Sequence, residues 1–243
     1  MTVPGPDAVI FDLDGTLVDT VETRIQAWRE ALEQAGLPAT RAQIAPLIGI
    51  DGRRLAREVA AAAGMPIDDA RAEALDRTGG EIFERRNGSP RPLPGVHAFV
   101  AALDDRGVRW AIATSSRRAQ VARSVAALGL RRVPLIVDGS HVRPAKPAPD
   151  LLLLAARRLG VDPRRCWYVG DSTWDVQAAV AADMLAVGIT AGSAVSAADL
   201  QVAGAGVVVP ALANLMELLP GAPGSAGPYR EQPAFRVRRK RRP

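Results

Sequence analysis

Residues 8–20, AVIFDLDGTLVDT, decide the fold of this chain, because an apolar run leads directly into two carboxylates. A short, unbroken apolar run near the start of a chain is typical of a buried parallel strand. Asp12 and Asp14 are one residue apart, so they share a face if the strand continues through them. Gly15 allows the chain to turn directly after them. We therefore expect both carboxylates at the carboxyl end of a strand, where open α/β sheets bind their ligands.

The composition of the 243-residue chain limits its class. The hydrophobic fraction of 48% is ordinary for a globular protein and allows a sizeable core. No apolar stretch reaches the roughly 18 residues that a membrane helix needs, and residues 1–7 do not resemble a secretory signal. The single cysteine, Cys166, leaves no internal disulfide and fits a reducing compartment. We therefore expect a cytoplasmic protein without membrane contact.

The positive charge of the chain is concentrated at its end. The net charge is +5, but residues 221–243 contain seven basic residues and one acidic residue, so the preceding residues are nearly neutral. Because this segment is also rich in Gly and Pro, we predict a disordered basic tail over residues 221–243. A basic surface on the folded part is not implied, so nucleic acid is not an expected partner, although the tail leaves that question open.

Residues 17–91 have helical patterns and no convincing strand. Apolar spacing and closing glycines predict helices at residues 21–36, 39–48, 52–63 and 68–86. Gly79 and Gly80 weaken the last helix, because glycine is a poor helix former. A connector rich in proline and turn residues follows at residues 87–95. We therefore interpret this block as a helical insertion after the first strand.

From residue 96 onward, helical and strand patterns alternate. Strands are predicted at residues 108–114, 135–138, 166–170, 185–189 and 206–209. Helices are predicted at residues 96–106, 117–128, 150–159, 173–182, 196–203 and 212–219. This alternation indicates parallel, right-handed βαβ units. We predict an α/β fold, with a Rossmann-like doubly wound parallel sheet at residues 1–16 and 92–220 and an inserted α-helical domain at residues 17–91.

Polar side chains follow several of the predicted strands. Thr114 and Ser115 lie at the end of one strand, and Asp171 and Asp175 follow another. Lys146 precedes a predicted helix and is the only lysine before residue 221. Because the carboxyl ends of parallel strands meet at one edge of the sheet, these groups are expected to converge there.

Four carboxylates are expected at this edge: Asp12, Asp14, Asp171 and Asp175. Each close pair of charges repels by roughly 4 kcal/mol at an effective dielectric near 20, so the group needs a cation. Oxygen ligands without histidine or cysteine favour a hard ion, magnesium above zinc. Thr114 and Lys146 supply a hydroxyl and a positive charge that suit phosphoryl oxygens. A carboxylate can attack phosphorus while a second acid protonates the leaving oxygen, so the pattern predicts phosphoryl transfer on Mg²⁺.

Four sequence motifs together resemble those of the haloacid dehalogenase-like hydrolases. They are the Asp-Leu-Asp-Gly-Thr of residues 12–16, a strand that ends at Thr114, Lys146 before Pro147, and the Gly-Asp-x-x-x-Asp of residues 170–175. Four such motifs in this order are far more specific than any one of them.

The resemblance extends over about residues 9–219 and suggests a particular branch of the family. Residues 17–91 look like the helical cap of the phosphoglycolate phosphatase and β-phosphoglucomutase branch. The resemblance therefore implies a Mg²⁺-dependent phosphatase with a capped Rossmann-like core. Its substrate would be a small phosphorylated metabolite, similar to phosphoglycolate or a sugar phosphate, and its intermediate an aspartyl-phosphate.

The resemblance also implies roles for the four carboxylates. Asp12 would be the nucleophile and a metal ligand. Asp14 would be the general acid and base, and its backbone carbonyl would contact the metal. Asp171 would ligate Mg²⁺ directly, and Asp175 would bind Lys146 or a metal-bound water.

Substrate-binding roles follow from the same resemblance. Thr114 would bind the transferred phosphoryl group, and Lys146 would neutralise both Asp12 and the phosphate. Ser115, directly after Thr114, is a further candidate for substrate binding. Arg53 lies in a stretch of the cap where relatives contact their substrates, so it is a candidate for substrate binding.

Two other functions stay open at this point. A phosphomutase similar to β-phosphoglucomutase is the nearer one, although Thr16 and the glycine before Asp171 look more like the phosphatases. A non-catalytic module that holds an acidic partner with its basic tail is the other, and the intact set of acids and lysine argues against it. The sequence does not indicate an oligomeric state.

Overall fold

The computed structural model describes residues 3–130, 134–142 and 145–221. The predicted disordered tail at residues 221–243 lies, apart from Gly221, outside the described residues. In the described part of the chain, no helix combines the length and apolar character required to cross a bilayer.

A six-stranded parallel sheet forms the centre of the fold. Its strands are β1 (Ala8–Phe11), β2 (Arg109–Ala113), β3 (Leu135–Val137), β4 (Cys166–Gly170), β5 (Leu185–Ile189) and β6 (Val207–Val209). The spatial order is β3-β2-β1-β4-β5-β6, and every neighbouring pair is parallel. The predicted Rossmann-like fold class is therefore confirmed, with the first strand near the middle of the sheet.

Helices connect and cover these strands. They are α1 (Val21–Gln34), α2 (Arg41–Ile44), α3 (Gly52–Ala62), α4 (Asp69–Arg86), α5 (Val96–Asp105), α6 (Arg118–Ala127), α7 (Asp150–Leu159), α8 (Thr173–Ala181) and α9 (Ala197–Val202). The first four lie between β1 and β2 in the chain, where the helical insertion was predicted. The division into residues 1–16 with 92–220 and residues 17–91 stays a prediction.

Two predicted helices differ from the structure in type. The helix predicted at residues 39–48 is the single turn α2 followed by a 3₁₀ turn, Ala45–Leu47. Pro46 has no backbone N–H, so it cannot donate the hydrogen bond that would continue α2. The helix predicted at residues 212–219 is a 3₁₀ segment, Leu212–Leu218.

The hydrophobic core lies on both faces of the sheet, because successive residues of β1 point in opposite directions. Val9 and Phe11 enter one cluster, and Ala8 and Ile10 enter the other. The Phe11 ring contacts Phe99 of α5 edge-on, with ring centroids 6.0 Å apart. A strand buried on both faces explains why its sequence is an unbroken apolar run.

The four helices of the insertion share a core of their own. Val21, Ile25 and Trp28 of α1 pack in one cluster with Leu55 of α3 and Leu75 of α4. The helix α4 continues through Gly79 and Gly80, contrary to the expected weakening at that point. A Cβ at Gly79 would lie 3.5 Å from the Trp28 ring, an ordinary van der Waals distance, so the packing of α1 on α4 does not require a glycine at this position.

Cys166 is buried at the start of β4, as core packing requires. Its Sγ lies 3.5 Å from the backbone carbonyl oxygen of Asp162. Burial raises the pKa of the Cys166 thiol to about 12, so the group is a neutral packing residue at physiological pH.

Candidate active site

The carboxyl ends of the central strands bring the predicted site residues together. Because β2, β1 and β4 pair in parallel register, they end at the same edge of the sheet. Asp12 follows β1, Thr114 follows β2, and Asp171 follows β4. Lys146 reaches this edge from the segment that leads into α7.

Lys146 lies at the centre of the buried charges. Its Nζ donates hydrogen bonds to Asp12 Oδ1 at 2.5 Å and to Asp175 Oδ1 at 2.7 Å, and its side chain is fully buried. Burial lowers the pKa of Lys146, but the two carboxylates more than offset this, so the pKa lies above its ordinary value. Lys146 is therefore a permanent cation in the site.

Three buried carboxylates could hold a metal ion. Asp12, Asp171 and Asp175 each offer an oxygen, and these oxygens all lie within 4.8 Å of one another. Burial raises the pKa of Asp12 to about 7, while Lys146 lowers it and Asp175 raises it. Burial, Asp175 and Asp12 also raise the pKa of Asp171 well above its ordinary value. The cluster carries more negative charge than Lys146 neutralises, and its hard oxygen donors fit a divalent ion such as Mg²⁺.

Hydrogen bonds fix the two carboxylates that follow β4. Asp175 Oδ2 accepts from the Ser172 backbone N–H at 3.0 Å and from its hydroxyl at 2.6 Å, and Asp175 Oδ1 also accepts from Tyr168 Oη at 3.1 Å. Asp171 Oδ1 accepts from Thr16 Oγ1 at 2.9 Å. Sequence reasoning missed both partners. Thr16 belongs to the motif of residues 12–16 but was given no contact with Asp171, and a lone hydroxyl in the apolar strand β4 gives Tyr168 no distinctive pattern.

Gly15 allows Asp171 to approach the turn after β1. Gly15 has φ of 85°, a left-handed conformation that disfavours side chains. A Cβ at this position would also collide with Asp171 Oδ2. The glycine between Asp14 and Thr16 is thus required by the site as well as by the turn.

The carboxylate of Asp14 points toward the helical insertion and not into the cluster of three. It accepts hydrogen bonds from Thr20 Oγ1 at 2.6 Å, Arg24 Nη2 at 2.5 Å and Ser116 Oγ at 3.3 Å. All three donors were missed at the sequence level. Arg24 had no signal, because arginine is abundant in this chain and its position in α1 is ordinary for a surface charge.

Arg24 is largely buried, which is unusual for an arginine side chain. Its guanidinium lies 3.7 Å from the centroid of the Phe83 ring, and its side chain is 12% exposed. Its Nε is buried, and no described residue accepts a hydrogen bond from it. The side chain thus extends from α1 to Asp14 along the wall of the site.

Thr114 and Ser115 lie beside the carboxylates, as expected. Thr114 is buried, and its Oγ1 accepts from the Ser116 backbone N–H at 3.2 Å. Ser115 Oγ donates to the Gly49 carbonyl of the insertion at 3.1 Å. Both side chains line the same cavity as Asp12.

Arg53 does not line the cavity that contains Asp12. It pairs with Asp51, with Nη2 and Oδ2 2.8 Å apart, and borders a neighbouring cleft. Its predicted contact with substrate stays a prediction.

A cavity of about 630 Å³, counted with its open mouth, separates the sheet edge from the insertion. Side chains of the insertion form its apolar wall: Trp28, Ile48, Ile50 and Leu55. The opposite side presents the polar groups at the strand ends, namely Asp12, Asp14, Thr114, Ser115 and Asp171. The polar groups at the strand ends thus face an apolar wall that the insertion supplies.

The insertion is seated over this cavity through polar contacts. Trp174 Nε1 of α8 donates to the Pro46 carbonyl at 2.7 Å, and Asn87 Nδ2 donates to Ser124 Oγ of α6 at 3.0 Å. Arg117 pairs with Glu73 of α4 at 2.8 Å. The site is thus covered on the side opposite the sheet.

Comparisons with known proteins agree with this geometry. A family model described as haloacid dehalogenase-like hydrolase matches residues 6–183. The chain is 36% identical to fructose-1-phosphate phosphatase of Escherichia coli strain K12 over 183 residues, which are 74% of this chain and 95% of that protein. It is 35% identical to phosphoglycolate phosphatase of Xylella fastidiosa strain 9a5c over 182 residues, which are 74% of this chain and 78% of that protein. A hydrolase from Pseudomonas syringae has the same fold, with a TM-score of 0.82, 33% identity, and coverage of 86% of this chain and 96% of that one.

Proposed function

Because the chain belongs to the haloacid dehalogenase-like hydrolase family, we propose that it is a Mg²⁺-dependent phosphatase with an aspartyl-phosphate intermediate. Its substrate is a small phosphorylated metabolite. The observation that carries the proposal is the buried group of Asp12, Asp171 and Asp175 around the ammonium of Lys146. The relatives named as phosphatases support a phosphoric monoester hydrolase.

The metal would be held by the residues at the strand ends. Asp12 and Asp171 supply carboxylate oxygens, Asp14 supplies its backbone carbonyl, and Asp175 completes the acidic surroundings. Mg²⁺ bound there would neutralise charge that develops on the phosphoryl oxygens. Burial and neighbouring carboxylates raise the pKa values of Asp12 and Asp171, and a bound cation would offset both effects, which supports such a role.

In the first step, Asp12 attacks phosphorus. Lys146 occupies Asp12 Oδ1, so Oδ2 is the oxygen that forms the new bond to phosphorus while the bond to the leaving oxygen breaks. Asp14 donates its proton to that leaving oxygen, which departs as an alcohol. Thr114, Ser115 and Lys146 bind the transferred phosphoryl group in this scheme.

In the second step, water releases the phosphate. Asp14, now a carboxylate, accepts a proton from the water that attacks phosphorus, and the bond to Asp12 breaks. Thr20 and Ser116 orient the Asp14 carboxyl through their hydroxyls. Residues 17–91 act as a cap that excludes bulk water from these steps, and residues 1–16 with 92–220 form the catalytic core.

Turnover of a generic aryl phosphate tests this function directly. We expect the protein to release inorganic phosphate in the presence of Mg²⁺, to stop when EDTA is added, and to recover with excess Mg²⁺. Conversion of a sugar 1-phosphate without free phosphate would favour the phosphomutase instead. A protein that turns over neither compound and retains polyanions would favour the binding module.

Metal binding should stabilise the fold in a pH-dependent manner. Because the pKa of Asp12 is raised to about 7, the native metal-free site holds a proton that the unfolded chain releases near pH 4, so stability from this group falls as the pH rises between these values. A cation binds the deprotonated carboxylate. We therefore expect Mg²⁺ to raise the melting temperature more at pH 8 than at pH 5, measured by calorimetry with EDTA-treated protein as the reference. An equal increase at both pH values would contradict the assignment.

A further inference from the structure

We infer that Asp76 and Gln120 recognise hydroxyl groups of the leaving alcohol, so that the substrate is the phosphate ester of a neutral sugar or polyol and not of a hydroxy acid. This inference rests on the proposed phosphatase function and names its substrate class. It depends on where the two side chains lie, which of their atoms have partners, and which charges surround them.

Asp76 and Gln120 belong to different helices but line the same two spaces. Asp76 belongs to α4 of the cap, and Gln120 belongs to α6 of the core. Both line the cavity that contains Asp12 and Asp14, and both line the neighbouring cleft that Arg53 borders. A leaving group that extends from the phosphoryl site toward this cleft must therefore pass these two side chains.

The Asp76 carboxylate offers a hydrogen-bond acceptor to the cavity. Its Oδ2 lies 3.2 Å from Arg117 Nη2, and no described residue donates a hydrogen bond to its Oδ1. A Cβ at Gly52 would collide with this Oδ1, so the glycine leaves room for the carboxylate. A substrate hydroxyl is the donor that this free oxygen would accept.

The Gln120 amide offers a donor, and its orientation is fixed by a backbone group. Its Oε1 accepts from the Arg117 backbone N–H at 3.0 Å, and since an N–H can only donate, the amide oxygen must face it. Nε2 is then directed toward Gly80, where a Cβ would collide with it. No described residue accepts from Nε2, so the amide can donate to a substrate oxygen. The two glycines thus leave space for an adjacent acceptor and donor, the pair that a polyhydroxylated group satisfies.

The charges of the cavity disfavour an anionic leaving group. Of the charged side chains in the described residues that line it, four are carboxylates, on Asp12, Asp14, Asp76 and Asp171. Arg24 is the one basic residue among these lining side chains, and it is already paired with Asp14 at 2.5 Å. The positive charges of Mg²⁺ and Lys146 would be used to bind the phosphoryl group. In the neighbouring cleft, Arg53 is already paired with Asp51, and Arg117 is paired with Glu73 and Asp76. A carboxylate on the leaving group would thus meet Asp76 without an unpaired cation among the described residues to offset the repulsion.

The ion pair with Arg117 does not by itself explain why Asp76 lies at the cavity. Glu73, three residues earlier on α4, makes the shorter ion pair with the same guanidinium, at 2.8 Å. Glu73 lines neither the cavity nor the neighbouring cleft. The Glu73 side chain therefore provides a matched control, because it shares the helix and the partner of Asp76 but not its access to substrate.

The test compares kcat/KM for fructose 1-phosphate, phosphoglycolate and p-nitrophenyl phosphate. For the unmodified protein we expect fructose 1-phosphate to exceed phosphoglycolate by at least about tenfold. We call kcat/KM for fructose 1-phosphate divided by kcat/KM for the aryl phosphate the sugar ratio. In Asp76→Ala the sugar ratio should fall about tenfold, because a hydrogen bond to a charged acceptor is lost. In Asp76→Asn, which preserves shape and removes charge, the ratio of phosphoglycolate to aryl phosphate should rise. In Gln120→Glu, which keeps the capping oxygen and removes the donor, the sugar ratio should also fall.

Glu73→Gln distinguishes recognition of the substrate by Asp76 from a contribution of the Arg117 ion pair to the position of the cap. We expect it to change the sugar ratio by less than about twofold. Two results would overturn the inference: equal effects of Glu73→Gln and Asp76→Ala on the sugar ratio, or hydrolysis of phosphoglycolate at least as efficient as that of fructose 1-phosphate. In either case, turnover of the aryl phosphate would still support the phosphatase proposal. Absence of aryl phosphate turnover in the unmodified protein would overturn both.

Discussion

Asp12→Asn is expected to lower phosphate release by at least about a thousandfold, because the amide cannot attack phosphorus and form the acyl-phosphate bond. The asparagine has nearly the same shape and can still accept the hydrogen bond from Lys146 Nζ. Steady-state hydrolysis of an aryl phosphate at saturating Mg²⁺ measures the effect. A rate close to that of the unmodified protein would mean that another group is the nucleophile.

The stability of Asp12→Asn distinguishes a chemical defect from a folding defect. Since burial raises the pKa of Asp12 to about 7, the ionised carboxylate costs stability at pH 8 when no metal is bound. The melting temperature of metal-free Asp12→Asn at pH 8 should therefore be no lower than that of the unmodified protein. Asp105→Asn is a suitable control for activity, because Asp105 is exposed at the end of α5, precedes the amino end of β2, and does not line the cavity that contains Asp12.

Lys146→Met is expected to affect both stability and activity. Methionine fills a similar space but leaves Asp12 and Asp175 without their shared cation in a buried site. Removal of one partner from a buried ion pair costs about 3–5 kcal/mol, because the remaining charge is not compensated. Chemical denaturation of the metal-free protein at pH 8 should show this loss, and hydrolysis should fall by at least about a hundredfold.

The loss caused by Lys146→Met should be smaller at pH 5, since the carboxylates can then take up protons in place of the ammonium. Arg118→Met is the control for removal of a positive charge, because Arg118 is exposed at the start of α6. A surface substitution of this kind changes stability by about 0.5 kcal/mol or less. If Lys146→Met were as mild as Arg118→Met, Lys146 would not be the cation that balances the cluster.

The fold and the polar centre of the site could be predicted from the sequence, because both depend on regular patterns. The apolar run of β1 and the alternation of later elements require a parallel sheet, and the carboxyl ends of such strands must share an edge. That rule places Asp12, Thr114 and Asp171 together from local patterns alone. Lys146 could be included because lysine is otherwise absent before residue 221.

The surroundings of that centre were decided by the tertiary structure. Arg24 bonds to Asp14, and Asp76 lies beside Gln120 at the cavity, because α1, α4 and α6 pack at particular distances over the sheet edge. The periodicity of the sequence does not predict such packing, because an arginine or glutamine takes the same place in a helical pattern whether its side chain faces water or a cavity. The strand-end rule thus locates the chemical groups, whereas the packing of the inserted helices over the sheet edge decides which side chains surround them.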